Sequence, residues 1–369
     1  MTWIVLAAVL CLAYSNGSND NFKGVATIYG SGTASYRKSL AWATATTLAG
    51  SLLALVLAAS LVKTFSAKGL VPDAVAASPA FLGAAALGAA FTVLLATRAG
   101  LPVSTTHALT GALAGAGFVA VGPQIHLSVL GKSFFLPLLV SPMVAVLLAV
   151  VAYPLARGAR RVLKVERESC VCIGAEWVPV AVPSAGRVVA AQRVSLAVSS
   201  GAVCADRYQG RVVGVSAQGL LEVLHFLSGG AVSFARGLND TPKIVALLLA
   251  ARVVGSQVGL LSVGVAMAIG GIVGARKVAE TMSTRITKLS GGSGLVANLN
   301  TALLVIVASR FGMPVSTTHV ATGGLFGVGI ATGAARWKTI ASILAAWLTT
   351  LPLGAVFGGI AFYLLLRMG

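Results

Sequence analysis

The chain has 369 residues, of which 57% are hydrophobic and 10% are charged, and its mean hydropathy is +0.92. A soluble globular protein carries about 25% charged residues because its surface faces water. This composition excludes a soluble body and indicates a polytopic membrane protein. The net charge of +18 would suggest nucleic acid in a soluble domain, but positively charged loops explain it in a membrane protein. We therefore expect the lipid bilayer, and no nucleic acid, as a partner.

Ten apolar segments follow one another along the chain, with five on each side of a polar central stretch. The segments lie at about 2–14, 39–62, 79–97, 102–121, 134–156, 218–235, 244–275, 295–309, 315–334 and 339–366. A helical span needs about 20 residues, so the first segment is too short and we expect its helix to break inside the bilayer. The pattern predicts an all-α polytopic membrane protein with one membrane repeat at 1–156 and a second at 218–369.

The polar stretch at 157–217 separates these two halves. Its segments at 177–182 and 194–198 have the composition of strands, which predicts a small β-rich insert. Three cysteines lie in the stretch: Cys170, Cys172 and Cys204. Because the stretch lacks His and a second Cys pair, a metal site is disfavoured. We expect reduced cytosolic thiols.

Basic loop residues predict the orientation of the chain in the membrane. If the N-terminus lies outside, the insert and most of the basic loop residues lie inside, as the positive-inside rule requires. The inside residues beyond the insert are Arg37, Lys38, Arg98, Arg276, Lys277, Arg285, Lys288, Arg336 and Lys338, and the outside residues are Lys63, Lys68, Lys132, Arg310 and Arg367. We expect a multi-pass protein of the plasma (cytoplasmic) membrane, with both termini outside and the insert in the cytoplasm.

An internal duplication of two motifs is the strongest pattern in the sequence. Pro-Val-Ser-Thr-Thr-His at 102–107 recurs unchanged at 314–319, and Gly-x-Asn-Asp followed by Lys occurs at 17–23 and again at 237–243. Two similar halves with an odd number of crossings each would form an inverted repeat. Secondary transporters commonly have this architecture, with broken or re-entrant helices around a substrate site near the midplane between the repeats.

Asp20 and Asp240 are the two carboxylates that the duplication places at equivalent membrane positions. A charged residue inside a membrane is costly and is functional by default. With the amides of Asn19 and Asn239, these acids offer the oxygen ligands that hard cations prefer. They predict a cation or proton-coupling site in which Asp20 and Asp240 would hold Na⁺ if sodium is the coupling ion. The alternative is that both acids only cap helix N-termini.

The Pro-Val-Ser-Thr-Thr sequence predicts the start of a helix, because Pro suits the first turn and Ser or Thr caps it. A helix N-terminus offers free N–H groups and partial positive charge, which together with hydroxyls can bind a tetrahedral oxyanion. The candidate anion-binding residues are Ser104, Thr105, Thr106, Ser316, Thr317 and Thr318, with Lys23 and Lys243. The alternatives are plain capping for the hydroxyls and pairing with Asp for the lysines. His107 and His319 could titrate, donate to the anion or pack inside.

These paired motifs resemble those of the inorganic phosphate transporter (PiT) family. The resemblance lies in Gly17-Ser18-Asn19-Asp20, Gly237-Leu238-Asn239-Asp240 and the two Pro-Val-Ser-Thr-Thr-His copies. It covers both membrane halves and implies a symporter that moves inorganic phosphate with Na⁺ or H⁺, needs no cofactor and usually forms a homodimer. It also implies that the Asn-Asp and Ser-Thr-Thr motifs form the cation and phosphate sites.

The sequence departs from the usual family motif, Gly-Ala-Asn-Asp-Val-Ala-Asn-Ala, at Lys23 and Lys243, where the family has Asn. An ammonium there would repel a metal cation or stand in for it, which predicts less reliance on Na⁺. H⁺ coupling, or a related oxyanion such as sulfate, remains open, so a sulfate permease is one alternative function.

An anion channel is a further alternative, although paired carboxylates would repel anions unless a cation accompanied them. An enzyme is disfavoured because catalysis needs one asymmetric site and every candidate residue here is duplicated. Primary active transport is disfavoured because the sequence has no phosphate-binding loop of the Gly-x-x-x-x-Gly-Lys-Ser/Thr type.

Overall fold

The computed structural model describes residues 1–67, 69–182, 187–210 and 212–368. Lys68 and Arg211, two of the basic residues behind the predicted orientation, lie outside the described residues. The chain forms two compact units. One comprises Met1–Tyr153 with His225–Gly369, and the other comprises Pro154–Leu224.

The first half of the chain is helical. Its helices are α1 (Thr2–Asp20), α2 (Ala26–Gly30), α3 (Tyr36–Leu57), α4 (Ala59–Thr64), α5 (Asp73–Ala76), α6 (Pro79–Arg98), α7 (Thr105–Val121), α8 (Leu127–Leu130) and α9 (Leu136–Val162). The first helix breaks directly after Asp20, and a short 3-10 turn at Lys23–Val25 precedes α2. The break expected in the first helix therefore falls on the Asn-Asp motif.

The insert contains a small antiparallel sheet and one short helix. Its elements are β1 (Ser169–Val182), β2 (Arg187–Ser200), α10 (Gly201–Arg207) and β3 (Val212–Ser216). The strand order is β2-β1-β3, and both predicted strand segments lie within β1 and β2. The prediction of a small β-rich insert is thus confirmed.

The cysteines of the insert correct an expectation. Cys172 on β1 and Cys204 on α10 form a disulfide, with their Cα atoms 6.2 Å apart, so the expectation of reduced thiols is wrong for this pair. Packing of α10 on β1 brings together two residues that are well separated in sequence. Cys170 is buried as a free thiol. The disulfide uses two of the three thiols that a metal site would need.

The second half is helical as well. Its helices are α11 (Ala217–Ala250), α12 (Ser256–Gly274), α13 (Arg276–Glu280), α14 (Gly291–Arg310), α15 (Thr317–Thr332) and α16 (Trp337–Met368). Unlike the first Asn-Asp motif, the second does not end a helix, because α11 continues through Asn239 and Asp240 with Pro242 inside it. Proline removes one backbone hydrogen bond from a helix, and here the helix continues past that loss.

Five helices of the described chain are long and apolar enough to cross a membrane: α6, α9, α12, α14 and α16. The sequence predicted about ten crossings. The two helices that begin at the Ser-Thr-Thr motifs, α7 and α15, have only 17 and 16 residues. They fall below the length of about 20 residues that a full span needs.

Two equivalent glycines bring helices into close contact beside the Asn-Asp motifs. A Cβ atom on Gly17 of α1 would lie 1.9 Å from the backbone oxygen of Met267 on α12, and one on Gly237 of α11 would lie 2.2 Å from that of Thr47 on α3. Gly17 and Gly237 are separated by the same number of residues as Thr47 and Met267, so the two contacts are equivalent in the two halves. Small residues allow this backbone approach in membrane proteins, and each motif is thereby held against a neighbouring helix.

Candidate functional site

Five charged side chains lie buried around the two Asn-Asp motifs: Asp20, Lys23, Arg236, Asp240 and Lys243. Each is at most 4% exposed, and among the described Asp, Glu, Lys and Arg residues these are the buried ones. Burial of an unpaired charge is very unfavourable, so buried charges are found paired and hydrogen-bonded. Here two carboxylates face three cationic groups, which leaves one positive charge in excess when all five are ionised.

Lys23 occupies a shell made of oxygen atoms. Its Nζ donates to the carboxylate of Asp20, to Asn19 Oδ1 at 2.7 Å and to the backbone oxygen of Val103 at 2.8 Å. It also donates to Thr318 Oγ1 at 2.6 Å. Three of these acceptors belong to the first half of the chain, whereas Thr318 belongs to the second.

Lys243 repeats this arrangement from the other half. Its Nζ donates to the backbone oxygen of Val315 at 2.7 Å, to Asp240 Oδ1 at 3.4 Å and to Thr106 Oγ1 at 2.8 Å. Each lysine therefore binds the carboxylate of its own half and the second threonine of the opposite Ser-Thr-Thr motif. Each lysine thus pairs with Asp, which is the alternative role, and also contacts a candidate anion-binding threonine, while anion binding by the lysines stays a prediction.

The first threonine of each motif contacts the carboxylate of its own half. Thr105 Oγ1 donates to Asp20 Oδ2 at 3.2 Å, and Thr317 Oγ1 donates to Asp240 Oδ2 at 3.4 Å. All four threonines thus converge on the two Asp–Lys pairs at the N-terminal ends of α7 and α15.

The two serines of the motifs cap these helices. Ser104 Oγ accepts from the backbone N–H of His107, and Ser316 Oγ accepts from that of His319, both at 3.1 Å. This is the capping alternative for the serines. The caps fix where each helix begins and so place the following threonines beside the charged residues.

Asn19 and Asn239 tie the Asn-Asp motifs to equivalent neighbours. Asn19 Nδ2 donates to Thr97 Oγ1 at 2.8 Å, and Asn239 Oδ1 accepts from Ser309 Oγ at 3.2 Å. Thr97 and Ser309 lie near the ends of α6 and α14. Asn239 Nδ2 also donates to Asp240 Oδ1 at 2.8 Å, and it thereby orients that carboxylate.

Asn16 bridges the two carboxylates. The duplicated motifs did not point to this residue. Its Nδ2 donates to Asp20 Oδ2 at 2.9 Å and to Asp240 Oδ2 at 3.2 Å. Arg236 Nη2 in turn donates to Asn16 Oδ1 at 3.0 Å. Asn16 precedes Asp20 by the same four positions by which Arg236 precedes Asp240, so the two sit at equivalent places in the halves.

Arg236 is the second site residue that the sequence did not assign. It directly follows the apolar segment at 218–235, and the rule that a charged membrane residue is functional by default could have selected it. Its Nη1 donates to Asn21 Oδ1 at 2.9 Å, and its Nε lies 3.9 Å from Asp240 Oδ2. Among the described residues, Nε has no hydrogen-bond partner, so the Nε–H donor of the guanidinium stays unused beside Asp240.

His107 and His319 pack against each other beside the cluster. Their ring centroids are 4.4 Å apart, and the ring of His319 stacks on Trp347 at 3.8 Å. Both ring nitrogens of His319 and Nδ1 of His107 lack a hydrogen-bond partner in the described parts of the chain. The two rings therefore pack inside the protein with these ring nitrogens free, and their role as donors to the anion stays a prediction.

A small cavity lies between the two halves at this point. Its lining includes Thr105, Thr106, Asp240 and Lys243, and its volume is about that of one water molecule. A tetrahedral oxyanion is larger than water, so it could enter only if these side chains moved apart. The cavity is therefore too small for the anion in this arrangement of the side chains.

Comparisons with known proteins agree with these motifs. The profile described as "Phosphate transporter family" matches residues 16–358. A relative from Pyrococcus abyssi that is named as a phosphate permease is 26% identical over 414 residues, with 100% of this chain and 99% of the relative covered. A relative from Mycobacterium tuberculosis that is named as a low-affinity inorganic phosphate transporter is 26% identical over 378 residues, with 99% and 78% covered.

The fold also has a counterpart among solved structures. "The sodium-dependent phosphate transporter" superimposes with a TM-score of 0.75 at 21% identity, and the match covers 100% of this chain and 99% of that one. Such a likeness shows that the two chains share a fold.

Proposed function

Because the chain belongs to the phosphate transporter family, we propose that it carries inorganic phosphate across the membrane as a secondary transporter, in symport with a cation or a proton. It is a transporter and not an enzyme. The observation that carries the proposal is the buried cluster in which three cationic groups face two carboxylates. A buried excess of positive charge is a binding site for an anion, because an anion removes the cost of leaving that charge unneutralised.

The proposed phosphate ligands surround this excess charge. Lys23 and Lys243 provide ammonium donors, and the Ser-Thr-Thr motifs at 104–106 and 316–318 provide hydroxyls at two helix N-termini. A helix N-terminus carries partial positive charge and N–H groups that suit phosphate oxygens. Each lysine already reaches a threonine of the opposite half, so an anion that replaces these contacts would be held by both halves together.

We further propose that the two halves form an inverted repeat and move relative to each other during transport. Equivalent contacts support this: Lys23 with Thr318 and Lys243 with Thr106 exchange partners between the halves. In inverted-repeat transporters, one repeat rocks against the other around a fixed site. Breaking these contacts would open the small cavity to phosphate from one side of the membrane. Their re-formation would close the cavity again, so that it can open to the other side.

The proposed coupling site consists of Asp20 and Asp240 with the amides of Asn19 and Asn239. The solved neighbour is named for its sodium dependence, so Na⁺ is one candidate ion, with Asp20 and Asp240 as its ligands, and a proton is the other.

We propose a homodimer in the plasma membrane, with both termini outside and the insert at 157–217 in the cytoplasm.

The carboxylates favour phosphate over sulfate as the substrate. Phosphate near neutral pH keeps at least one O–H group, which can donate a hydrogen bond to Asp20 or Asp240. Sulfate has no proton to donate, so its oxygens would face the carboxylate oxygens with repulsion and with no bond. A site built to accept a hydrogen bond from a substrate strongly rejects an analogue that lacks the donor.

Reconstituted protein tests this proposal. Proteoliposomes would be given labelled phosphate under an imposed Na⁺ gradient, an imposed H⁺ gradient or no gradient, with unlabelled sulfate or phosphate as competitor. We expect concentrative uptake driven by a gradient, with competition by phosphate and little by sulfate. Uptake that stops at equilibrium under every gradient would indicate a channel, and stronger competition by sulfate would indicate a sulfate permease.

A further inference from the structure

We propose that the ammonium groups of Lys23 and Lys243 are resident counter-cations of Asp20 and Asp240. In this proposal they occupy the places of co-transported metal cations, so that phosphate uptake by this chain does not require Na⁺. The inference rests on the proposed transport of phosphate. It says that the chain itself supplies, at the coupling site, the positive charges that a sodium symporter takes from solution.

The shell around Lys23 is the first observation. The ammonium contacts a carboxylate, an amide oxygen, a backbone carbonyl oxygen and a hydroxyl, from Asp20, Asn19, Val103 and Thr318. These are the oxygen types with which proteins bind hard metal cations. An ammonium has three protons, and four oxygens surround it here. The shell therefore offers more oxygen acceptors than the lysine has donors, as does a shell that surrounds a spherical positive charge.

The second shell is its counterpart in the other half. Lys243 contacts a carboxylate, a backbone carbonyl oxygen and a hydroxyl, from Asp240, Val315 and Thr106. Both lysines are buried, with 4% and 2% of their surface exposed. A lysine that merely ended at the surface would place its ammonium in water. Here both ammonium groups are withdrawn from water into shells that share a carboxylate, a backbone carbonyl oxygen and a hydroxyl.

Charge explains why a metal cation would not join these shells. The cluster already holds three cationic groups against two carboxylates, and Arg236 supplies the third. A sodium ion on Asp20 or Asp240 would have to displace an ammonium or lie directly beside it, where like charges repel. In contrast, a singly charged phosphate would neutralise the one excess positive charge of the cluster.

Substitution of both lysines tests the inference, because it should make phosphate uptake depend on Na⁺. The double variant Lys23→Asn with Lys243→Asn removes both ammonium groups, leaves space within each shell and adds an amide oxygen. Proteoliposomes of the wild type and the variant would take up labelled phosphate with Na⁺ or with N-methylglucamine as the external cation at equal pH. We expect Na⁺ to change wild-type uptake by less than about twofold and to stimulate the double variant by at least about tenfold.

A matched control and a second measurement make the outcome decisive. Lys63 and Lys338 are exposed, so the variant Lys63→Asn with Lys338→Asn should keep the sodium independence of the wild type. Thermal unfolding in detergent gives a readout other than transport. A ligand stabilises the protein that binds it, so Na⁺ should raise the Tm of the double variant and leave that of the wild type unchanged relative to N-methylglucamine.

The results separate this inference from the proposed function. Wild-type uptake that needs Na⁺, or a folded double variant whose uptake and Tm both ignore Na⁺, would overturn the inference. If the double variant does not fold, the response of wild-type uptake to Na⁺ decides alone. If the wild type takes up no phosphate under any gradient, the proposed function fails, and the Tm measurements still decide whether the lysines exclude Na⁺.

Discussion

Lys23 of the first half donates a hydrogen bond of 2.6 Å to Thr318 of the second half. The two residues are 295 positions apart in the sequence, and the equivalent pair, Lys243 and Thr106, is joined at 2.8 Å. These two bonds close the cluster between the halves. Because they use the groups proposed to bind phosphate, phosphate and the direct contact between the halves would compete for the same lysines and threonines.

Removal of the two cross-half hydroxyls should weaken phosphate binding. We expect Thr106→Val with Thr318→Val to raise the KM for phosphate about tenfold or more, since a hydrogen bond to a charged group contributes about 1.5–3 kcal/mol. Initial rates of phosphate uptake over a range of concentrations measure the change. Thr110→Val is the control, because Thr110 lies on α7 and its buried hydroxyl has no hydrogen-bond partner among the described residues. An unchanged KM in the double variant would assign both threonines to structure alone.

Arg236 should be needed for its charge. Arg236→Gln removes the excess positive charge of the cluster, so we expect uptake at low phosphate to fall at least about tenfold. Arg236→Lys keeps the charge and should retain part of the uptake, although lysine cannot reproduce a guanidinium that bonds Asn16 and Asn21 at once. Uptake rates normalised to the amount of folded protein distinguish the two variants. Equal loss in both would show that shape, and not charge, is the requirement.

Gly17 should tolerate no side chain. In Gly17→Ala the new Cβ would lie 1.9 Å from the backbone oxygen of Met267, so we expect a loss of about 1–3 kcal/mol of stability, typical of overpacking, and a lower Tm in detergent. Gly158→Ala is the matched control, because no atom lies within 4 Å of a Cβ atom there. Alanine is favoured over glycine inside a helix by about 0.5–1 kcal/mol, so this control should not lower the Tm. A Tm for Gly17→Ala at or above that of the wild type would contradict the close contact.

Thiol labelling should reveal the disulfide of the insert. In denatured protein without reductant, we expect a maleimide reagent to modify Cys11 and Cys170 only, because Cys172 and Cys204 are paired. After reduction all four cysteines should react, and the mass of the labelled protein counts them. Four reactive thiols without reductant would restore the expectation of reduced cysteines.

The labelling also bears on the orientation of the insert. Stable disulfides are typical of oxidising compartments, whereas the basic residues favour a cytoplasmic insert.

The duplicated parts of the site could be predicted from the sequence. Each motif occurs twice, and equivalence between halves selected Asp20, Asp240 and the four threonines that the structure brings together. Arg236 and Asn16 escaped because they differ from each other, so a search for identical residues passes over them. Their position relative to each Asp is equivalent, but only the packed structure shows that one bonds the other.

Other features depended on packing that the sequence does not display. The pairing of Cys172 with Cys204 follows from the placement of α10 on β1, which residue spacing does not specify. The continuity of α11 through Pro242 opposes the ordinary effect of proline on a helix. By contrast, the strands of the insert followed from β-type composition alone, because their alternation and β-branched residues are local properties.

The most direct test of the central claim is labelled phosphate uptake into proteoliposomes by the wild type and by the double variant Asp20→Asn with Asp240→Asn. Asn keeps the size of Asp and removes the negative charge, and Asp73→Asn, in the short helix α5, is the control. We predict concentrative uptake by the wild type and the control, and none by the double variant when it is equally folded. Concentrative uptake by the double variant at the wild-type rate would contradict a coupling site built on these two carboxylates.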